Sequence, residues 1–181
     1  VLPANNKNIT IDLNGLCLHY SQPLKNNGTM VITDSSDAKT GAITNNSWAV
    51  DRVIDNNGTL TIDAGTFSGN QCTIFNNSGK TFTFSNGTIK GVVSAVCNYG
   101  GTFTMNSGTV STERNGETST IYTPWNYGGT ININGGKVKT TQTGNAYTYG
   151  VRNDTSAGNL NIAGGDIEVT SANTNWSYTY T

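Results

Sequence analysis

Charged residues are scarce in this chain. They make up 12% of its 181 residues, and the formal net charge at neutral pH is −1. Proteins that bind nucleic acid need a concentrated basic face, and proteins held at an anionic membrane surface need a polybasic segment, so the composition argues against both classes. The chain also has no apolar run long enough to cross a bilayer, and we expect no membrane insertion.

Cysteine and histidine are nearly absent as well. The chain contains three cysteines, Cys17, Cys72 and Cys97, and a single histidine, His19. None of them stands at a spacing typical of zinc ligands, so we expect neither a metal site nor a cofactor. Each cysteine falls among apolar residues of a predicted strand, where a free thiol behaves as a small buried hydrophobic group.

The residues present in abundance are Asn, Thr, Ser and Gly. This uncharged polar composition is typical of secreted or cell-surface proteins, and that is the localisation we expect. The sequence opens at Val1 without a signal peptide, and we interpret it as a mature fragment rather than as a cytoplasmic protein.

One short phrase recurs seven times, with 21 to 30 residues between successive starts. The occurrences are Asn8–Ile11, Thr29–Ile32, Thr59–Ile62, Thr81–Phe84, Thr102–Met105, Thr130–Ile133 and Asn159–Ile162. Apolar and polar residues alternate within each phrase, which is the pattern of a half-buried strand. A repeat of this period predicts a stack of similar coils.

Each phrase is followed by a turn and by two further strand-like segments. The turn carries a glycine, which adopts a positive φ easily, at Gly65, Gly87, Gly108, Gly136 and Gly165. The third segment ends in an asparagine, at Asn26, Asn56, Asn76, Asn98, Asn126 and Asn153. This pattern predicts an all-β parallel β-helix of about seven coils with three short strands each. We expect one domain over residues 1–181 that is a piece of a longer array.

Two other architectures fit less well. Asn, Gly and Thr are poor helix formers, and the chain has no 3.6-residue period. A β-sandwich is the more serious rival, but it would not repeat one phrase at the same place in every coil.

The asparagine column predicts a ladder in which side-chain amides hydrogen-bond from coil to coil. Counting back from each Asn by strict alternation places Cys97 outward but Cys72 inward, which argues against a disulfide between them. The same count turns Tyr149 and Tyr180 inward. Pro124 falls at an inward position, where it predicts a local defect in the third strand.

Three segments carry a resemblance to a known family: Asn8–Gly15, Asn26–Ser36 and Asn56–Ile62. They resemble the pectin-lyase-like, right-handed parallel β-helix repeats of large secreted and surface proteins of bacteria. The resemblance covers essentially the whole chain and implies a right-handed coil. It implies no single activity, because such repeats occur in adhesins, polysaccharide lyases, glycoside hydrolases and structural stalks.

Acidic residues follow the first strand in three successive coils, at Asp12, Asp34 and Asp63. Asp12 and Asp63 would lie two coil rises apart, about 9–10 Å, at the edge of the range for an inverting glycosidase. Asp is also a common turn residue, and the same column holds Ser85 and Asn106 in other coils. We therefore predict a non-catalytic chain and keep the three carboxylates as candidates for an enzymatic alternative.

Aromatic residues crowd the third strands of the later coils. Tyr99 and Tyr127 directly follow ladder asparagines on adjacent coils, Trp125 precedes one, and Tyr122 lies nearby. If these side chains face outward, they offer flat platforms for sugar rings; the alternative is that they fill a widened core. We predict these four residues as the ligand-binding set, with a carbohydrate or another host or cell-surface ligand as the partner.

The outward side of the repeated phrase presents two threonine columns, Thr29, Thr59, Thr81, Thr102, Thr130 and Thr10, Thr61, Thr83, Thr104. Regular Thr-x-Thr arrays resemble those of ice-binding proteins, although Thr also has a high β propensity. The function that we predict is adhesion or structural display at a bacterial surface through glycan binding. A carbohydrate-active enzyme of the same fold is the first alternative and ice binding is the second. Uncovered coil ends would allow end-to-end self-association.

Overall fold

A computed structural model describes residues 4–49, 51–116, 118–154, 158–172 and 177–180. Within these residues every regular element is a β-strand, and the strands form three parallel sheets. The sheets stack as a β-solenoid of about six turns, which confirms the predicted all-β parallel architecture.

Successive coils contribute neighbouring strands to each sheet. Sheet 1 contains the repeated phrase and consists of Asn8–Asp12, Thr29–Thr33, Thr59–Ile62, Thr81–Phe84, Thr102–Met105, Thr130–Ile133 and Asn159–Ile162. Sheet 2 consists of Cys17–His19, Ala42–Asn45, Thr66–Gly69, Thr88–Gly91, Thr109–Arg114, Lys137–Gln142 and Asp166–Ser171. Sheet 3 consists of Leu24–Asn26, Arg52–Asn56, Cys72–Asn76, Ser94–Tyr99, Ile121–Tyr122, Trp125–Tyr127, Thr148–Asn153 and Ser177–Tyr180.

The apolar positions of sheet 1 form the core, as the alternation predicts. In the five inner coils they are at most 1% exposed: Met30, Ile32, Leu60, Ile62, Phe82, Phe84, Phe103, Met105, Ile131 and Ile133. Each such side chain contributes about 1.5–3 kcal/mol of burial free energy. The equivalent positions of the first and last coils are open, with Ile9 36% and Ile162 43% exposed, because only one neighbouring coil covers them.

The predicted turn glycines all adopt positive φ, between 78° and 111°. Gly87 shows why no side chain fits there, since a Cβ would lie 2.5 Å from the carbonyl oxygen of Gly65 on the preceding coil. The close stacking of these turns therefore requires glycine for space as well as for conformation.

The asparagine ladder is present in full. Each side-chain Nδ2 donates to the Oδ1 of the next Asn at 2.7–2.9 Å along the series Asn26, Asn56, Asn76, Asn98, Asn126 and Asn153. Asn5, which the sequence pattern misses, extends it by one step to Asn26 at 2.9 Å. The same amides bond backbone carbonyls, as Asn98 Nδ2 does to Gly101 O and Thr130 O. The ladder thus satisfies polar groups that the core buries.

Sheet 3 departs from strict alternation once in each of the five inner coils. Two successive residues are buried at Val53–Ile54, Thr73–Ile74, Ala95–Val96, Thr123–Pro124 and Gly150–Val151. The extra inward residue shifts the parity, so that residues on both sides of it face outward. Arg52 and Asp55, three positions apart, accordingly form an ion pair at 2.9 Å on the outer face.

This parity shift corrects two expectations. Cys72 pairs in register with Ser94 and lies on the same outer face as Cys97, and Tyr149 pairs with Tyr122 there rather than filling the core. A third expectation, that Cys17 is buried, is also wrong: Cys17 is exposed because it lies in the outward column of sheet 2, in register with Ala42 and Thr66. The side chain of Tyr180 lies outside the part that the structure describes. The expected defect at Pro124 is confirmed, since the strand stops at Tyr122 and resumes at Trp125.

Candidate functional site

The bend in sheet 3 makes its outer face concave. Two adjoining cavities of about 320 and 240 Å³ lie along it and share the side chains of Asp51 and Arg52. Because the walls come from neighbouring strands of one sheet, the depression runs across successive coils along the stacking direction. We call it the sheet 3 groove and define it by Lys25, Arg52, Cys72, Phe75, Cys97, Tyr122 and Trp125.

The four residues predicted to bind a ligand lie together on the outer face of sheet 3, with Tyr122 and Trp125 in the groove wall and Tyr99 and Tyr127 beside it. Tyr122 packs on Trp125 with ring centroids 5.1 Å apart, and Trp125 meets Tyr127 edge-on at 5.8 Å. Tyr127 in turn stacks on Tyr99 at 4.9 Å with the ring planes only 5° apart. The four aromatic rings therefore form one continuous surface on the outside of the solenoid rather than part of its core.

The four rings do not present equivalent surfaces. Tyr99 and Tyr127 are 48% and 42% exposed, but each covers one face of the other. They therefore offer mainly ring edges and hydroxyl groups to a ligand. Trp125 and Tyr122 line the cavity itself and are half-buried, so they are the better platforms for a flat apolar group.

Two further aromatic residues extend the surface at its two ends. Phe75 stacks on Tyr99 at 6.0 Å, and Tyr149 packs on Tyr122 at 6.2 Å. Strict alternation misses Tyr149 by placing it inward. The sequence feature that could have identified Tyr149 is its position opposite Tyr122 when the third strands are aligned. The strand register confirms this pairing.

An arginine and an aspartate hold the tryptophan in place. The indole Nε1 of Trp125 donates to Asp154 Oδ2 at 2.7 Å, and Arg152 pairs with the other oxygen of the same carboxylate. The Arg152 guanidinium also lies 5.0 Å from the ring centre of Tyr122 and 4.9 Å from that of Tyr149. These contacts fix the two cavity-lining rings before any ligand arrives, which lowers the ordering cost of binding.

A second arginine occupies the other end of the aromatic surface. The Arg52 guanidinium lies 3.7 Å above the centre of the Phe75 ring and forms its ion pair with Asp55. Burial raises the pKa of the Tyr122 hydroxyl, which keeps it protonated and able to donate a hydrogen bond at neutral pH. The groove therefore combines apolar ring surface with charged and hydroxyl groups at its rim.

The three candidate catalytic carboxylates lie elsewhere, at the end of sheet 1. Asp34 is buried and accepts hydrogen bonds from the backbone of Gly15 and Gly41 at 2.8 and 2.7 Å and from the Ser36 hydroxyl at 2.7 Å. Burial alone would raise the pKa of Asp34, but these hydrogen bonds outweigh it and lower the pKa to about 2. Its carboxylate therefore serves to hold the loop that follows the strand.

The other two carboxylates are exposed. Asp12 accepts from the backbone N–H groups of Asn14 and Ser35, and its bonds with Ser35 lower its pKa. Asp63 lines a third cavity of about 500 Å³ at the corner between sheets 1 and 2, which Asp34 also borders. Asp34 and Asp63 thus border one depression, but the carboxylate oxygens of Asp34 already accept hydrogen bonds from the loop.

The threonine columns lie in register on the outer side of sheet 1. Thr29, Thr59, Thr81, Thr102 and Thr130 are consecutive partners, as are Thr61, Thr83 and Thr104. His19 lies on the exposed first strand of sheet 2, where its Nδ1 contacts Thr44 Oγ1 at 2.9 Å.

Comparison with protein-family models, with curated proteins and with solved structures finds no match to this chain. No described segment forms a helix long and apolar enough to span a membrane. Among the described residues, no group of three or more His, Cys, Asp or Glu side chains is arranged to hold a metal ion.

Proposed function

We propose that this chain is a non-catalytic β-solenoid module that binds a glycan in the sheet 3 groove and serves adhesion or display at a cell surface. The observation that carries the proposal is the continuous aromatic surface from Tyr99 through Tyr127 and Trp125 to Tyr122. Sugar rings present apolar C–H faces that pack on aromatic rings, while their hydroxyl groups need polar partners beside the platform. Trp125 and Tyr122 supply the platform, and Arg52 and Asp51 stand at the rim.

The state of the carboxylates favours binding over hydrolysis. A glycosidase needs one carboxyl group that gives up a proton and a second that acts as base or nucleophile. Beside the groove, Asp55 and Asp154 each pair with an arginine, and Asp34 is saturated by hydrogen bonds within its own loop. Asp51 remains at the rim as a single carboxylate, whereas hydrolysis needs two.

The finer classification is part of the same proposal. The repeat phrases resemble pectin-lyase-like repeats of bacterial secreted and surface proteins, and the uncharged polar surface suits an extracellular setting. We therefore propose a bacterial surface origin and a right-handed coil, both of which rest on the resemblance.

The first experiment is a broad glycan array with the purified chain, followed by calorimetry on each sugar that binds. Trp125→Ala should weaken binding by about tenfold or more, because a buried aromatic anchor carries a large share of the binding free energy. The matched control is Trp48→Ala, which removes an exposed tryptophan that lines neither cavity of the groove. Equal losses in both variants, or full binding in Trp125→Ala, would contradict the proposed site.

Other outcomes of this experiment favour other functions. No binding to any sugar would favour a structural stalk. Release of new reducing ends from a bound polysaccharide, abolished by Asp12→Ala/Asp63→Ala, would favour the enzymatic alternative. The register of the threonine columns keeps ice binding as a second candidate, and Thr83→Tyr should then remove ice shaping by disrupting the centre of the array.

A further inference from the structure

Two cysteine thiols meet in the wall of the sheet 3 groove. Cys72 opens the strand Cys72–Asn76, and Cys97 lies in the next strand of the sheet, Ser94–Tyr99. The parity shift at Thr73–Ile74 turns both side chains to the outer face, where they line the same cavity and interact with each other. Both are free thiols and both are buried.

The cavity around the pair is lined by aromatic rings, by Arg52 and by the oxygen-bearing side chains of Asp51, Gln71 and Ser94. Phe75, Tyr122 and Trp125 form the neighbouring walls of the cavity, and Arg52 lies close enough to Cys72 to act on it electrostatically. The Cys72 thiol donates to the carbonyl oxygen of Ile74 at 3.2 Å, which orients it within the groove. Among the described residues no third Cys, His or carboxylate joins the two thiols in a metal-ligating group.

The backbone spacing argues against a disulfide between Cys72 and Cys97. Cys72 stands opposite Ser94, so Cys97 is offset from it by three residues along the neighbouring strand. Three strand residues span roughly 8–10 Å, whereas Cα atoms joined by a disulfide lie about 4.4–6.8 Å apart. The two side chains therefore share one cavity while their backbones lie farther apart than a disulfide allows.

We infer that Cys72 and Cys97 form a two-coordinate site for a soft monovalent cation of the Cu(I) class. Thiolate sulfur selects such ions, whereas Mg²⁺ and Ca²⁺ require oxygen ligands and structural Zn²⁺ requires four ligands. Binding forms two metal–sulfur bonds and releases the two thiol protons to solvent. The resulting bis-thiolate complex carries one negative charge, which the nearby Arg52 guanidinium, itself paired with Asp55, would favour.

The test uses the full chain and Ag⁺, an air-stable ion of the same class. Cys17→Ser is introduced into every variant, because Cys17 is an exposed thiol outside the groove. Native mass spectrometry and calorimetry should find one tightly bound Ag⁺ per chain of the C17S protein. The C17S/C72S and C17S/C97S proteins should both lose this site, since each leaves only one sulfur ligand.

A second measurement keeps the inference open to refutation if a double variant folds poorly. Equimolar Ag⁺ should raise the thermal midpoint of the C17S protein itself and change the Trp125 fluorescence, because an ion that binds only the folded chain stabilises it. Zn²⁺ and Mg²⁺ serve as matched ions that should do neither. The site is refuted if C17S takes up no Ag⁺ at equimolar concentration, or if either double variant retains the ion with the affinity of C17S.

Discussion

Sheet 1 and sheet 3 are built from the same coils, yet they present different outer faces. In sheet 1 inward and outward residues alternate strictly, and the outward positions carry rows of threonine in register. In the five inner coils, sheet 3 carries one extra inward residue at the same place, and the strands bend there. The side chains on either side of that bend converge around a groove, as Arg52 and Asp55 show by pairing across it.

The difference teaches that a solenoid needs only one local change to turn a regular face into a concave one. A shift of parity in a single coil would be a bulge that disturbs its neighbours. When stacked coils share the shift, the register is preserved and the bend becomes a groove along the axis. The aromatic residues, both arginines and both buried thiols then occupy this one surface.

The largest effect should come from a substitution in the core of sheet 1, the sheet with regular alternation. Phe103→Ala removes a fully buried ring of sheet 1 that stacks on Phe82 at 5.0 Å, and it should lower the free energy of unfolding by about 3–5 kcal/mol. Thr104→Ala, the next residue along and on the outer side of the same strand, loses one hydrogen bond from Asn132 and should lower it by about 1 kcal/mol or less. Urea unfolding of both variants measures the contrast. Similar losses in the two would contradict the assignment of inward and outward positions.

A smaller effect should separate two threonines at the bend of sheet 3. The Thr73 hydroxyl donates to the carbonyl oxygen of Lys90, whereas the buried Thr123 hydroxyl has no hydrogen-bond partner among the described residues. Thr73→Val should therefore cost about 1 kcal/mol or more, while Thr123→Val should be neutral or stabilising. Thermal and urea unfolding give the sign of each change. A loss of stability on Thr123→Val as large as that on Thr73→Val would show that the Thr123 hydroxyl is satisfied in solution.

The smallest effect, clearest as a change in how stability declines in acid, should distinguish the end of sheet 1 from the groove. The pKa of Asp34 is about 2 in the folded protein, below the ordinary value of 3.8. Its carboxylate therefore stabilises the folded chain above about pH 4, and this contribution is lost as pH falls through about 2. Asp34→Asn should lower the thermal midpoint at neutral pH and flatten its decline between pH 4 and 2. The exposed Asp63→Asn is the matched control, and an identical acid profile in both variants would refute the role of Asp34.

Much of the fold could be predicted because each coil of a solenoid repeats the same local sequence pattern. The phrase from Thr81 to Phe84 predicts a strand, its repetition predicts the stack, and the aligned asparagines predict the ladder. Each of these follows from a short-range rule that acts identically in every coil. The strand break at Pro124 could be predicted for the same reason, since a proline cannot donate to the ladder.

The candidate site could be predicted only in part. Tyr99, Trp125, Tyr127 and Tyr122 were visible as an aromatic cluster, and the structure brings them together. The positions of Cys72 and Tyr149 were not, because strict alternation assigns them to the core. A parity shift leaves no mark in residue type, since Val53–Ile54 reads equally well as a bend or as two neighbouring positions of a straight strand.

The sequence by itself determined the period, the three strands per coil, the apolar columns of sheet 1 and the asparagine ladder. Those features depend on alternation, on glycine at positive φ and on amide hydrogen bonding, which neighbouring residues specify. Only the tertiary structure decided which side chains share the outer face of sheet 3, and therefore that two thiols, Arg52 and three aromatic rings line one groove. The physical reason is that the local sequence does not specify where a strand bends, whereas the pairing of strands from stacked coils does.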